Sequence, residues 1–377
     1  HTQASNMTAS SKVSPNKPRH MYTITRGKNK GVKFPEQGSW HLERKKKIVA
    51  KHPEIEDLYG TDITTFYYMV PLWFFHVGMA IFLRDLSWPS WLLFAYTIGA
   101  WNAFQLQALA HEAVHGLIFK NPLLNKITAS FTFLPIFSCP FGSIWGVEHL
   151  WHHNIVVDKV LRFGKLNDSF GFKAFAALFT ITIANAMLWV ASKLAFIKIL
   201  VTFSKYAVGK SKTMFPTSFD ALFFKDAPAI LSWWFVINEI VSNLFNYAII
   251  HYFGWNAFLY LLVANGFGNG LHPLGMRNVQ EHQVRIPNQP TYSVYHSHPL
   301  DWLIGFNINY HVEHHDFPRI PWSRLPQVTK IAPEFYKNLY SYTSYTQVMK
   351  DFFFEKGIPV ETFFEGALEM MSSPRRK

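Results

Sequence analysis

The chain has 377 residues, of which 49% are hydrophobic and only 16% are Asp, Glu, Lys or Arg, and its formal net charge is +12. Typical soluble domains contain about 25% charged residues. Because long stretches here carry almost none, the composition excludes an ordinary soluble globular protein, a collagen and a wholly disordered chain. The single cysteine, Cys139, also excludes an internal disulfide framework.

The N-terminal segment, 1–40, is polar and basic, and the sequence predicts a mobile tail without the apolar core of a signal peptide. The next segment, 40–59, mixes Lys and Glu with Ile and Val in the pattern of a short amphipathic helix. Two interpretations are equally supported for this helix: it lies on a membrane surface, or it is an ordinary soluble helix.

Four later stretches are apolar and long enough, or nearly so, to cross a bilayer, which takes about 20 helical residues. They are 64–82, 91–110, 230–250 and 258–271, and the last is short unless it begins at Trp255. These four stretches predict four transmembrane helices.

Two further apolar stretches differ from these spans. The stretch 172–203 is interrupted by Lys173, Lys193 and Lys198, which favours one or two helices in the plane of the membrane interface. The stretch 127–145 contains two prolines and a glycine, and it predicts a broken or re-entrant element.

The basic residues test this arrangement. All of them except Arg84 precede the first span, lie between the second and third spans, or follow the fourth. If the spans pair as two hairpins, these segments face the cytosol, as the positive-inside rule requires. The predicted fold is therefore an all-α integral membrane protein with four transmembrane helices in two hairpins, interfacial helices and a cytosolic helical cap. The membrane domain is predicted at 41–354 and a C-terminal tail at 355–377.

Histidines are concentrated in the predicted cytosolic segments. His111 and His115 are spaced to share one face of a helix, and two HxxHH clusters occupy 149–153 and 311–315. A zinc site takes three or four protein ligands. The three motifs contain eight histidines, which is enough for two metal ions. Imidazole binds iron, copper, zinc and nickel alike, so the ligand type does not identify the metal. The candidate ligands are His111, His115, His149, His152, His153, His282, His311, His314, His315 and Asn278.

The remaining histidines, His41 among them, are interpreted as structural or surface residues. His272 precedes a proline at the end of a span and is interpreted as a structural hydrogen-bond donor, with a ligand role left open. Carboxylates next to the clusters are expected to accept hydrogen bonds from the ring N–H groups of metal-bound histidines. For Asp316, the competing interpretation is that it caps a helix or a turn. These carboxylates are Glu112, Glu148, Glu281, Glu313 and Asp316.

A glycine pattern, Gly266, Gly268 and Gly270, superficially resembles a nucleotide-binding loop. It lies inside a predicted span with no strand before it, so it predicts close helix packing instead.

The motifs HEAVH (111–115), HLWHH (149–153) and HVEHH (311–315) resemble the histidine boxes of membrane fatty-acyl desaturases. RKKKIVAKHPEI (44–55), GLHP (270–273) and NYHVEHHDFPRIP (309–321) are similar to the sphingolipid delta-4 desaturase family. Two residues depart from the family pattern: Trp151 within the second box, and Arg277 where a further histidine is common.

The resemblance implies a non-haem di-iron enzyme of the endoplasmic reticulum membrane, with its termini and histidine boxes in the cytosol. It implies two iron ions, dihydroceramide or a related lipid as substrate, and O2 as oxidant. The resemblance also implies cytochrome b5 and its reductase as the electron source. The chain has no flavin, nicotinamide or haem-binding motif, which by itself indicates only that electrons come from a separate protein. The resemblance also makes Asn278 a candidate water-coupled ligand, and no nucleic-acid partner is expected.

Two kinds of alternative remain open, and a third is disfavoured. In the first kind, the enzyme uses the same di-iron chemistry, but its product is a C4-hydroxylated sphingolipid or its substrate is another acyl lipid. His111, Glu112 and His115 also match the HExxH signature of a zinc protease, which needs one further ligand and would leave most of the clustered histidines unused. A non-catalytic metal transporter would need more polar groups within the spans than His76, Glu239 and Asn243.

Overall fold

The structure is a computed structural model that describes residues 21–23, 33–35, 37–136, 149–150, 153, 170–214, 233–270, 272–281, 289–295 and 301–354. In these ranges the chain is mostly helical. Two short strands, Met21–Thr23 and Lys33–Pro35, pair antiparallel within the segment predicted as a mobile tail. The predicted C-terminal tail lies outside the described residues.

The predicted amphipathic segment forms helix α1, Gln37–Lys51, followed by a 3-10 turn at Pro53–Leu58. A proline restricts the residue before it to extended conformations, which explains why the α-helix ends before Pro53. Ile48 and Ile55 are both fully buried, in an apolar cluster shared with the segment that contains the third histidine motif. The apolar side of α1 is therefore covered by protein.

The first predicted hairpin consists of α2, Thr64–Leu83, and a longer helical segment that returns antiparallel to it. This segment comprises α3, Trp88–Phe94, a π-helical turn at Ala95–Gly99, and α4, Ala100–Val114. It contains the second predicted span, and α4 continues beyond that span through the first histidine motif. A backbone hydrogen bond of 2.7 Å from Asp62 N to the carbonyl oxygen of Leu117 places the start of α2 beside the end of α4.

Between the hairpins lie α5, Pro122–Phe133, and α6, Phe170–Ala207. The side chain of Asn121 caps α5 by accepting a hydrogen bond of 2.9 Å from Leu123 N. The proposed broken element is described only to residue 136, so the part of it that contains Pro140 lies outside the described residues. For the stretch 172–203, where the sequence permits one or two helices, the structure has one continuous helix of 38 residues.

The second predicted hairpin consists of α7, Trp233–Phe253, and α8, Trp255–Asn269. Gly254 joins them with a φ of 85°, a left-handed conformation that glycine adopts without steric cost. Asn256 Nδ2 donates a hydrogen bond of 3.0 Å to the carbonyl oxygen of Arg84, which lies in the link of the first hairpin. The two hairpin links therefore lie at the same end of the helix bundle.

Helices α4 and α8 approach each other closely at Gly268. A Cβ atom built there would lie 2.6 Å from the carbonyl oxygen of Ala100. The prediction that this glycine serves helix packing is confirmed.

Gly268→Ala is therefore expected to lower the free energy of unfolding by about 1–3 kcal/mol, because two helix backbones must move apart. Thermal unfolding in detergent micelles measures the change. Gly78→Ala is the matched control, since no heavy atom lies within 4 Å of a Cβ built at Gly78. We expect the control to unfold at the wild-type temperature or slightly above it, and equal losses in both variants would contradict the argument.

The chain after α8 forms a cap of short helices. It begins with a 3-10 turn at Pro273–Met276, and its α-helices are α9, Arg277–Gln280, α10, Asp301–Gly305, α11, His311–Asp316, α12, Leu325–Ile331, and α13, Tyr345–Phe354. Buried aromatic residues of the cap, such as Tyr292 and Trp322, belong to the same apolar cluster as Phe104 of α4. The cap therefore packs directly on the helix that carries the first histidine motif.

By length and composition, one helix of the described chain, Thr64–Leu83, is able to cross a membrane. The helix at the fourth predicted span, α8, has 15 residues. The four-span arrangement stays a prediction.

Candidate metal centre

The first histidine motif lies at the end of α4. His111 is in the last turn of this helix and His115 is its C-terminal cap. Their ring centroids are 4.6 Å apart, as the spacing of four residues predicts. Almost every residue of α4 is buried, and the helix holds His111 buried and His115 partly buried.

The third histidine motif forms α11, whose six residues are all buried. Ser293 holds its first turn: the hydroxyl oxygen accepts a hydrogen bond of 3.0 Å from Val312 N and donates one of 2.7 Å to Glu313. The Tyr295 hydroxyl donates to the other oxygen of Glu313. These three hydrogen bonds fix the turn that carries His311, His314 and His315.

The structure brings histidines of all three motifs together. The Nε2 atoms of His115 and His149 are 2.9 Å apart, those of His149 and His153 are 3.2 Å apart, and those of His153 and His314 are 3.1 Å apart. With His111, these residues offer ligand atoms that all lie within 4.8 Å of one another. Five of the ten predicted ligands therefore converge on one place, although the three motifs are far apart in the sequence.

This geometry fits a metal ion. Two imidazole nitrogens that each lie about 2.0–2.1 Å from one ion, at right angles to each other, are about 2.9 Å apart. The observed Nε2 separations of 2.9–3.2 Å are close to that value. His111 and His314 are 2% and 1% exposed, so little water competes for the site. A set of five imidazoles suits iron, zinc, copper or nickel.

Two more predicted ligands adjoin these five histidines. The ring centroid of His315 is 4.2 Å from that of His153 and 4.4 Å from that of His311. His311 Nδ1 lies 3.4 Å from a carboxylate oxygen of Glu281. The other predicted ligands, His152, His282 and the side chain of Asn278, lie outside the described residues.

The charge state of the site favours metal binding. Burial lowers the pKa of His314 well below its usual value, and the neighbouring imidazoles His111, His115 and His153 lower it further. A neutral imidazole keeps the lone pair that binds a metal, whereas an imidazolium does not.

The carboxylates have more varied partners than the sequence predicts. Glu112 accepts a hydrogen bond of 2.9 Å from Trp322 N, and its second oxygen is 3.5 Å from His111 Nδ1. Glu313 is bound by hydroxyl groups, and burial raises its pKa to about 7. Glu148 lies outside the described residues. Among the described carboxylates, Glu112 and Glu281 therefore approach a predicted ligand most closely.

Asp316 is fully buried and differs from both of its predicted roles. Its side chain accepts hydrogen bonds from His41, Arg44 and Tyr336. Burial by itself would raise its pKa, but the charge of Arg44 and the hydrogen bond from His41 outweigh that effect and lower it. Asp316 is thus an ionised carboxylate that ties the third motif to α1.

The interpretation of His41 as a structural or surface residue misses its proximity to the site. It is 4% exposed, and its ring centroid lies 5.1 Å from that of His315. In the sequence, His41 and Arg44 share one face of a helix, but a solvated helix shows the same pattern. No local signal indicated a buried partner 275 residues away.

Two other residues have structural partners. His272 Nδ1 accepts a hydrogen bond of 3.2 Å from Leu274 N, and its ring packs against Tyr96. The side chain of His272 therefore caps the turn that follows it, as an acceptor rather than the predicted donor. Arg277 forms an ion pair of 3.2 Å with Glu281, so it fixes a carboxylate that lies 3.4 Å from His311.

Two family models match this chain. A fatty acid desaturase model matches residues 86–346, which include all three histidine motifs. A sphingolipid Delta4-desaturase model matches residues 36–64, which include α1. The family resemblance predicted from the motifs is confirmed.

Individual relatives of this chain are named as members of the same family. The chain is 34% identical over 310 residues to "Sphingolipid delta(4)-desaturase DES1-like" of Oryza sativa subsp. japonica, covering 82% of this chain and 84% of that protein. It is 32% identical over 322 residues to "Sphingolipid delta(4)-desaturase DES1" of Drosophila melanogaster, covering 84% and 90%. It is also 32% identical over 321 residues to "Sphingolipid delta(4)-desaturase/C4-monooxygenase DES2" of Rattus norvegicus, covering 84% and 89%.

Proposed function

The chain belongs to the sphingolipid delta(4)-desaturase family of the fatty acid desaturases, and from this we propose that it desaturates the sphingoid chain of dihydroceramide. In this proposal it is a membrane oxidoreductase that uses two iron ions, O2 and electrons from another protein. The observation that carries the proposal is the convergence of histidines from all three motifs within 4.8 Å.

The proposed iron ligands are the ten residues predicted from the sequence: His111, His115, His149, His152, His153, His282, His311, His314, His315 and Asn278. The five converging histidines would hold one ion, and His311 and His315 beside them would contribute to a second. Bound iron would supply the activation of O2 that is needed to remove hydrogens from an unactivated methylene group. Ligand type by itself does not choose iron over zinc, so the choice rests on the family.

The protein's own residues provide the surroundings of this reaction. The buried positions of His111 and His314 exclude water, which would otherwise compete with the lipid for the oxidant. Glu313, held by Ser293 and Tyr295, fixes the turn that carries His314. These residues position the ligands, while the bulk of the lipid chain would lie among apolar side chains.

The helix bundle supports the proposed membrane arrangement. Aromatic residues flank the two hairpin links and are highly exposed, with Phe82 at 81%, Trp88 at 75%, Tyr252 at 72% and Trp255 at 63%. Aromatic belts of this kind mark the boundary between lipid and water. Together with the basic residues at the opposite end, they support four spans with the histidines and both termini in the cytosol; the proposed location in the endoplasmic reticulum rests on the family.

Electrons would come from cytochrome b5 and its reductase. The proposed cytosolic segments contain every basic residue except Arg84. A positive surface increases the rate at which an acidic electron carrier associates. No motif for a flavin, nicotinamide or haem occurs in the sequence, which is consistent with an external donor.

A second outcome, C4-hydroxylation, is favoured by one observation: the rat relative is named both a delta(4)-desaturase and a C4-monooxygenase. Both reactions begin by removing hydrogen from the same region of the chain. They differ in whether a second hydrogen is removed or oxygen is added, which depends on geometry within about an ångström.

The zinc protease alternative has less support. Such an enzyme needs three protein ligands and a glutamate that faces a metal-bound water. Here five histidines converge, and Glu112 accepts a hydrogen bond from the backbone of Trp322.

Expression in yeast that lacks its own sphingoid oxidation tests the proposal. We expect mass spectrometry to find ceramide that has lost two hydrogens, because removal of a second hydrogen completes desaturation. Cells with an empty vector are the control. A product that has gained one oxygen would establish hydroxylation instead, and unchanged dihydroceramide in cells that contain the iron-loaded protein would refute both.

A further inference from the structure

Helix α1 contacts the third histidine motif through one buried carboxylate. His41 Nδ1 donates to Asp316 Oδ1 over 2.6 Å, and Arg44 Nε and Nη2 donate to Oδ2 over 3.1 and 3.0 Å. Tyr336 OH donates to the same Oδ2 over 2.9 Å. The side chain of Asp316 is 0% exposed and that of Arg44 is 14% exposed, so these charge-assisted contacts are shielded from water.

These contacts place a proton on Nδ1 of His41. An ionised carboxylate only accepts hydrogen bonds, so Nδ1 of His41 carries the proton that it donates to Asp316. On the other side of the ring, Nε2 forms a hydrogen bond of 2.9 Å with the Thr291 hydroxyl. Both ring nitrogens are thus engaged in protein contacts, and His41 acts by holding other groups rather than by binding a metal.

Asp316 is the residue directly after His315, and both belong to α11, which has only six residues. A helix this short is not stable on its own and depends on its tertiary contacts. The side chain of Arg44 also connects α1 to another part of the cap, because it donates to the carbonyl oxygen of Phe335 and lies 5.1 Å over the ring of Tyr336. The orientation of His315 therefore depends on the contacts of α1.

We propose that α1 supports the metal centre. His41 and Arg44 are positioning residues that orient the third histidine motif through Asp316. This inference rests on the proposed function, since it assumes that the motif binds iron. Both residues lie in the segment that matches the sphingolipid model, outside the region that matches the general fatty acid desaturase model. The segment that matches the sphingolipid model thus contacts Asp316, the residue next to His315.

The experiment compares variants of the full chain, purified in detergent and loaded with 57Fe. The measurements are iron per chain, the rate of iron loss to a chelator and the Mössbauer spectrum. For His41→Ala we expect iron loss to be faster by about 10- to 100-fold, as is typical when a partner that supports metal ligands is removed. We also expect a broadened spectrum, because the third motif would adopt several orientations.

Two conservative variants test the contacts one at a time. Asn carries its amide nitrogen where histidine has Nδ1, so His41→Asn keeps the donor to Asp316 and should recover most of the wild-type iron retention. Arg44→Lys keeps the charge but loses the two parallel hydrogen bonds, so it should lose iron at an intermediate rate. If His41→Ala does not fold, these two variants decide the question: wild-type rates and spectra in both would overturn the proposal.

Ile48→Ala is the matched structural control, because Ile48 lies on the same helix, is fully buried and has no contact with Asp316 among its described hydrogen bonds and ion pairs. We expect a lower melting temperature with a wild-type spectrum in the folded fraction. If Ile48→Ala loses iron as fast as His41→Ala, then helix docking in general explains the effect and the proposal fails. Wild-type protein without iron would instead refute the proposed function.

Discussion

Replacing His314 with alanine is expected to abolish lipid oxidation while leaving the protein in the membrane. His314 lies between the motifs: its Nε2 is 3.1 Å from that of His153, and its ring centroid is 4.4 Å from that of His111. Removing a residue that supports metal ligands already costs about 10- to 100-fold in affinity or activity. Removing a ligand itself should cost more than about 100-fold.

The measurement is product formation in yeast together with the iron content of the purified variant. His52→Ala is the matched control, because His52 lies outside the metal centre and bonds to the surface residue Glu334. We expect the control to keep wild-type activity and iron. Wild-type turnover from His314→Ala would remove this residue from the metal site, and loss of activity in both variants would point to a general folding defect.

The second large effect is expected from removing the metal. Of the five converging imidazoles, three are buried, two are partly buried, and all lie close together, so an ion that binds them would stabilise the folded state. At a free metal concentration of about 1,000 times Kd, binding contributes about 4 kcal/mol to stability. A strong chelator should therefore remove all activity and lower the melting temperature.

Reconstitution then identifies the ion. Ferrous iron should restore both the melting temperature and lipid oxidation, with close to two ions per chain. Zinc should restore part of the melting temperature without any oxidation, because it has no redox chemistry. Full activity with zinc, or peptide hydrolysis by the zinc-loaded protein, would contradict the proposed function and support a protease.

Much of the candidate site is predictable from local patterns. The spacing of His111 and His115 predicts a shared helical face, and their rings are 4.6 Å apart in the structure. The glycine pattern in α8 predicts helix packing, and Gly268 lies against the backbone of Ala100. Both predictions succeed because they depend on helical periodicity, which residues a few positions apart determine.

The partners of the carboxylates are less predictable. Glu313 and Asp316 stand next to histidines in the sequence, but their side chains bond to hydroxyl groups and to α1. On a helix, adjacent residues point in different directions, so nearness in sequence does not make two side chains partners.

Composition and short spacings are enough to predict an apolar, helical chain whose histidines are placed to bind metal. They do not predict which distant residue supports the third motif. The bond between His41 and Asp316 joins residues 275 positions apart, and it exists because α1 packs across α11. Such a contact depends on how whole helices pack, which no local pattern encodes.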